Sequence, residues 1–187
     1  TFMKLAKNLE RLGTESAFSI LAEAKKLEAQ GKEMIHLGLG QPDFKSPKHV
    51  VEAAKKAIDD GHHGYVLANG ILECRQSVSR KIKSLYKKDV DPERIMIMPG
   101  GKPTMYYAIQ MIGEPGAEIV HPTPGFPIYE SMINYTGAKA VPYDLTKEKD
   151  LKFDPEKILS SITDKTRLVI LINPNNPTGS FVEKPAI

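Results

Sequence analysis

The stretch Asn173-Pro174-Asn175-Asn176-Pro177-Thr178-Gly179 concentrates three carboxamides around two prolines, directly after the apolar run Arg167 to Ile172. Proline fixes φ and removes a donor, so such a loop can hold an amide side chain rigidly against a ligand. In open α/β sheets ligands bind beyond the carboxyl ends of the strands, where this loop would lie. Asn and Pro also make ordinary turns, which would suffice for an isolated Asn-Pro pair. A second loop, Gly100-Gly101-Lys102-Pro103-Thr104, joins an apolar run to a helical pattern. A helix N-terminus offers unpaired N–H groups and partial positive charge, which suits a phosphate, and glycine lets the backbone come close. Pro103 lacks an N–H where the helix requires none. Alone, this segment equally fits a plain strand–helix turn. A third loop, Thr123-Pro124-Gly125-Phe126-Pro127-Ile128-Tyr129, carries the flat ring of Phe126. That ring would either confine a planar ligand or fill the core.

The loop at 173–179 resembles the Asn-Pro-x-Asn-Pro-Thr-Gly signature of the class I/II pyridoxal-phosphate (PLP) aminotransferases, enzymes of PLP fold type I. The other loops agree with it in order and spacing, and the resemblance runs from about Ser16 to the end of the chain. It implies that Asn176 donates a hydrogen bond to the phenolate oxygen of the cofactor. It implies that Gly101 and Lys102 meet the PLP phosphate through their backbone amides, the Lys102 side chain not being at the Schiff-base position. Phe126 would stack on the pyridine ring, while Tyr129 packs. Tyr65, with Gly70-Ile71-Leu72-Glu73-Cys74-Arg75, is similar to the family's Tyr-x-x-x-x-Gly-x-x-Glu-Leu-Arg stretch. Tyr65 would then reach the cofactor phosphate of a partner subunit, which implies a homodimer with shared sites. Cys74 stands where leucine is usual, and Glu73 and Arg75 read as helix-surface charges. Gly38-Leu39-Gly40-Gln41-Pro42-Asp43-Phe44 matches the family's Gly-x-Pro-Asp-Phe segment, with Gly40 beside the substrate. A dinucleotide fingerprint fails there, because no third glycine and no helix follow. The family often has cis peptides at the positions of Asn176–Pro177 and Thr123–Pro124.

Positioning these loops requires alternating strands and helices. Helical periodicity covers Ser16 to Gln30, with Gly31 as a left-handed cap. Met34 to Leu37 reads as a short extended run. Ser46 caps a helix that opens at Pro47 and ends at Gly61, and Ile71 to Lys87 forms another. Strands are expected at Arg94 to Met98, Glu118 to His121, Lys139 to Tyr143 and Arg167 to Ile172. Helices are expected from Gly101 to Ile112, Ile128 to Tyr135 and, capped by Asp154, to Ser161. Unbroken apolar strands suit a parallel sheet buried on both faces. The fold class is α/β, a largely parallel central sheet with helices on both faces. By resemblance it is an incomplete PLP fold type I large domain. Residues 1–46 would form an N-terminal arm and part of the small domain. Residues 47–187 would form the first half of the large PLP-binding domain. His62-His63 reads as exposed loop and Lys147 to Lys152 as a solvated charge run.

Composition narrows the remaining classes. A net charge of +3 provides no basic field for nucleic acid. No apolar run approaches the length of a membrane span, and Thr1 to Leu9 has no signal-type apolar core, so a cytoplasmic protein is expected. Five histidines and the lone Cys74 show no metal-ligand spacing. In the family, the Schiff-base lysine, the aspartate that pairs with the pyridinium nitrogen and the arginine that grips the substrate carboxylate all lie downstream of the Asn-Pro-Thr-Gly motif. Those positions fall beyond Ile187. The expectation is therefore a PLP aminotransferase chain truncated before its lysine, inactive by itself and without catalytic residues of its own. The amino donor would be aspartate-like, the acceptor a 2-oxo acid. Lyases and synthases of this fold share the same motifs. Two other readings stand beside it: a naturally short, non-catalytic phosphate- or partner-binding remnant of the same fold, and an unrelated nucleotide-binding α/β domain.

Overall fold

The computed structural model describes residues 3–13, 16–145, 151 and 153–182. These divide into two compact units, one drawn from Thr1–Glu23 and Gly101–Ile187, the other from Ala24–Gly100. Helix α1 spans Ser16–Ala29 and Gly31 follows with φ of 83°, as the periodicity and the glycine anticipate. Among the described residues no helix is long and apolar enough to cross a membrane.

The larger unit is α/β. Helix α4 (Gly101–Ile112), strand β1 (Glu118–Thr123), helix α5 (Ile128–Thr136), strand β2 (Lys139–Asp144), helix α6 (Pro155–Ser161) and strand β3 (Thr166–Val169) follow in order. The three strands form a parallel sheet in the order β2-β1-β3. Glu118 pairs with Lys139 at one end of the β1–β2 ladder and Thr123 with Asp144 at the other. The β1–β3 register slips between Glu118 and Ile119. Successive side chains of a strand alternate faces. Ile119 accordingly joins a cluster with Ile109 of α4, Met132 and Ile133 of α5, and Ile170. Val120 joins Tyr143, Leu145 and Ile158 of α6 on the opposite face. Both β1 side chains are 0% exposed, and burying each contributes about 1.5–3 kcal/mol. Helices therefore cover both faces, as expected of buried parallel strands.

Local chemistry fixes the ends of these elements. Asp154 caps α6 by accepting from the Glu156 N–H, with Pro155 at the first helical position. At the other end of α5, Arg11 donates to the carbonyls of Asn134 and Tyr135, each at 2.8 Å. A cation there satisfies carbonyls that have no intrahelical donor. Gly13 N–H donates to Ser131 Oγ, so the N-terminal segment is fastened along α5.

The smaller unit holds α2 (Lys48–Asp59), α3 (Leu72–Tyr86) and a one-turn 3-10 segment at Pro92–Arg94. Three expectations are corrected here. Ser46 does not cap α2: Pro47 takes extended angles (φ −54°, ψ 135°), so it becomes the cap residue and the helix opens at Lys48. Arg94 to Met98 does not form a strand, because a strand requires a ladder and the Ile97 N–H finds only the Asn69 carbonyl. Met34 to Leu37 lies outside any helix, and Ile35 and Leu37 are exposed. Arg75 is not a surface charge: at 1% exposure it donates to the Gly70 and Pro92 carbonyls and to Glu93 Oε1 at 2.7 Å. In the larger unit, β3 is shorter than its apolar run, although the Ile170 N–H still bonds the Val120 carbonyl. His62 and His63 are exposed, Cys74 is half-buried and free, and Lys147 to Lys152, Leu151 apart, lies outside the described residues.

Candidate cofactor site

Three loops of the larger unit meet at one end of its sheet. The first is the start of α4. Gly100 has φ of 88°, a conformation that suits glycine, and turns the chain into the helix. The first-turn N–H groups of Gly101 and Lys102 have no intrahelical acceptor, and Pro103 has no N–H to leave unpaired. A Cβ built on Gly101 would meet only Met105 Cε at 3.6 Å. The approach to the chain at Gly101 is therefore open.

The second loop continues from β1 through a cis Thr123–Pro124 bond to Phe126. A Cβ on Gly125 would lie 2.4 Å from the Pro122 carbonyl oxygen, so only glycine lets the chain turn so closely. Phe126 is half-buried and stands edge-on to Tyr129, with centroids 6.4 Å apart. Burial raises the Tyr129 pKa, which keeps its hydroxyl protonated, as suits a packing residue. Lys102 Nζ lies 5.7 Å from the centroid of the Phe126 ring, within cation–π range. That contact joins the first loop to the second. Beside it, Lys102, Pro103 and Tyr106 of α4 and Ile128, Ser131 and Met132 of α5 line an open hollow of about 260 Å³.

The third loop follows β3. Asn173–Pro174 and Asn176–Pro177 are both cis, the former not anticipated from the sequence. Asn173 brackets the loop from outside: its Oδ1 accepts from the Val182 N–H at 3.0 Å, and its Nδ2 donates to the Val182 carbonyl. Asn175 brackets it from inside. Its N–H donates to the Ser180 carbonyl at 2.7 Å, and its carbonyl accepts from Gly179 at 2.8 Å. Its side-chain Nδ2 donates to Thr178 Oγ1 at 2.9 Å and, across to the second loop, to the Pro124 carbonyl at 3.3 Å. Asn176, between these anchors, is exposed.

Lys102 and Phe126 are thus in contact, and the loop of Asn176 is tied to the turn of Phe126. Gly101 opens the same helix as Lys102. Tyr65, fully exposed, and Gly40, in an exposed loop, belong to the smaller unit. Asn175 and Gly125 were not singled out in the sequence. The i to i+3 spacing of Asn175 and Thr178 is the one signal that pointed to a side-chain bond within the loop. Beneath the site, His121 is 4% exposed and its Nε2 has no hydrogen-bond partner among the described residues. Burial pushes its pKa down, opposed in part by Glu130. Tyr143 donates to the Ile170 carbonyl at 3.0 Å, and burial pushes its pKa up to about 12. Among the described residues no three His, Cys, Asp or Glu side chains cluster as metal ligands would.

The groups present suit a definite chemistry: N–H groups at a helix start for an anion, an aromatic ring for a planar ligand, and an exposed amide for a ring substituent. Residues 32–187 match the family model for aminotransferases of class I and II. The aspartate aminotransferase of Bacillus subtilis is 34% identical over 95% of this chain and 45% of its own length. The (5-formylfuran-3-yl)methyl phosphate transaminase of Methanocaldococcus jannaschii is 34% identical over 96% of this chain and 46% of its own. Among solved structures, the aspartate aminotransferase of Thermus thermophilus with maleate superposes with a TM-score of 0.92 at 30% identity, covering 99% of this chain and 48% of that one. The chain thus spans slightly less than half the length of the relatives it matches.

Proposed function

The chain belongs to the class I and II aminotransferase family, and on that premise we propose that it builds the PLP cradle of an aminotransferase. The reading is carried by one observation: helix start, aromatic ring and amide loop adjoin at the carboxyl edge of a parallel sheet. Lys102 over Phe126 and Asn175 to Pro124 join them. When bound, PLP supplies an electron-accepting ring able to carry an amino group between an amino acid and a 2-oxo acid. The backbone amides of Gly101 and Lys102 hold its phosphate at the positive end of α4. Phe126 covers one face of the ring and keeps water from it. Asn176 would donate to the phenolate oxygen, favouring its charged form.

The lysine, aspartate and carboxylate-binding arginine of the family are not supplied by these motifs, so the 187 residues alone should bind cofactor weakly and transfer no amino group. Tyr65 serves the phosphate of a partner subunit in a homodimer, and Gly40 lies beside the substrate. Residues 1–46 act as arm and small-domain segment, 47–187 as the first part of the PLP-binding domain, and the protein works in the cytoplasm. An aspartate-like donor is favoured by the names of the Bacillus and Thermus relatives. The Methanocaldococcus relative, named for a phosphorylated furan aldehyde, marks how far substrates diverge at the same identity.

The test uses the polypeptide expressed over its full reading frame and titrated with PLP. Asn176→Ala should weaken binding by roughly 10- to 100-fold, the worth of a hydrogen bond to a charged acceptor. It should also shift the cofactor absorption maximum. Unchanged affinity and an unchanged spectrum would remove the assignment.

A further inference from the structure

We propose that Asn175 is a positioning residue that locks the loop of Asn176 to the turn of Phe126, making one rigid cradle of two separate segments. The inference rests on the cofactor reading above. Asn175 is 7% exposed, and its side chain makes the polar bond that joins residues 173–180 to the Pro124 carbonyl. That carbonyl lies two residues before Phe126, and Asn175 is bonded directly to Asn176 in the chain. A shift at either end of this link changes the separation between the ring face and the amide.

The chemistry of the side chain favours this role over simple packing. Both donors of Nδ2 face acceptors, Pro124 O and Thr178 Oγ1. The orientation of the amide is therefore fixed by the network, since a flipped oxygen would face the Pro124 carbonyl. In this orientation Oδ1 is buried with no hydrogen-bond partner among the described residues. An unpaired buried acceptor costs stability, and an apolar side chain of similar size would avoid that cost. What the amide gives in return is the tie across to Pro124. The space beside it, bounded by Tyr143, Leu145, Leu171 and Ser180, has a volume of about 10 Å³, too small for a ligand. Asn175 therefore acts on the cofactor through its neighbours.

Asn175→Ala removes the tie, and Asn175→Asp keeps the size while removing both donors. In the full-reading-frame protein loaded with PLP, each should move the absorption maximum in the direction that Asn176→Ala moves it. Each should weaken PLP binding about tenfold. The double variant Asn175→Ala/Asn176→Ala should go no further than Asn176→Ala alone, because groups acting through one another are not additive. Thr163→Ala, which loses a bond to Glu118 at the opposite end of the sheet, serves as control: it should lower the melting temperature and leave the spectrum in place. A wild-type spectrum in both Asn175 variants overturns the proposal, as do additive shifts in the double variant. A silent Asn176→Ala overturns the phenolate reading itself, and the Asn175 role falls with it.

Discussion

A base held in an apolar interior must stay neutral, and His121 meets that condition on β1. Its side chain shares the face of Ile119, is almost fully buried, and feels Glu130 as the main opposing charge. Burial sets the folded pKa below the ordinary value of 6.5. Above 6.5 both folded and unfolded chains hold the ring neutral, so it contributes no pH dependence there. As pH falls through 6.5 the unfolded chain takes up a proton that the folded chain refuses. Stability then declines until the folded pKa is passed, below which the loss is constant. Melting temperatures of the full-reading-frame protein should therefore fall as the buffer moves from about pH 7.5 to about pH 5.5, and fall less in His121→Leu. Equal slopes in the two proteins would show that the ring titrates alike in both states. Arg75 is the opposite case, a charge kept inside because carbonyls and Glu93 surround it. That burial was not legible locally, since two of its partners lie 17 and 18 residues away.

Among the elements, legibility followed how local the cause was. The bounds of α4, α5 and α6 were readable because capping and periodicity act within a few residues, as Asp154 and Pro155 demonstrate. The run Arg94 to Met98 is as apolar as a strand should be, yet pairing depends on a partner that no local pattern reveals. The loops of the candidate site were legible for a different reason: loop chemistry is carried by residue type, and Gly100-Gly101-Lys102 and 173–179 are unusual in type. The link between loops 123–129 and 173–179 was not, because Asn175 and Pro124 are 51 residues apart. Gly125 belongs to this level too. Its missing Cβ lets the chain turn over Pro122, and the obstacle would be a backbone carbonyl that cannot swing aside. Gly125→Ala should displace Phe126 and weaken PLP binding by roughly 10- to 100-fold, the consequence of 1–3 kcal/mol of overpacking strain. Fluorescence titration of the full-reading-frame protein measures it. Wild-type affinity would mean that the turn relaxes without moving the ring.

For the whole molecule, the question is which subunit each part of the cradle serves. Tyr65 is fully exposed and makes no hydrogen bond to another described residue, so nothing within its own unit accounts for it. In the proposed homodimer its hydroxyl donates to the phosphate held by the partner, whereas Asn176 serves the cofactor of its own chain. A dimer with one Tyr65→Phe subunit and one Asn176→Ala subunit separates the possibilities. If Tyr65 acts across the interface, the intact Tyr65 of the second subunit meets the intact cradle of the first, and one site is restored. The other site then carries both lesions. Two-tag purification of such hybrids, followed by PLP titration, should find about half of the sites at wild-type affinity and the rest weaker than in either parent variant, as two-fold symmetry requires. If Tyr65 acts within its own chain, each site carries one lesion and no site recovers. Two classes of single-lesion sites would therefore refute a shared site, even with the dimer intact.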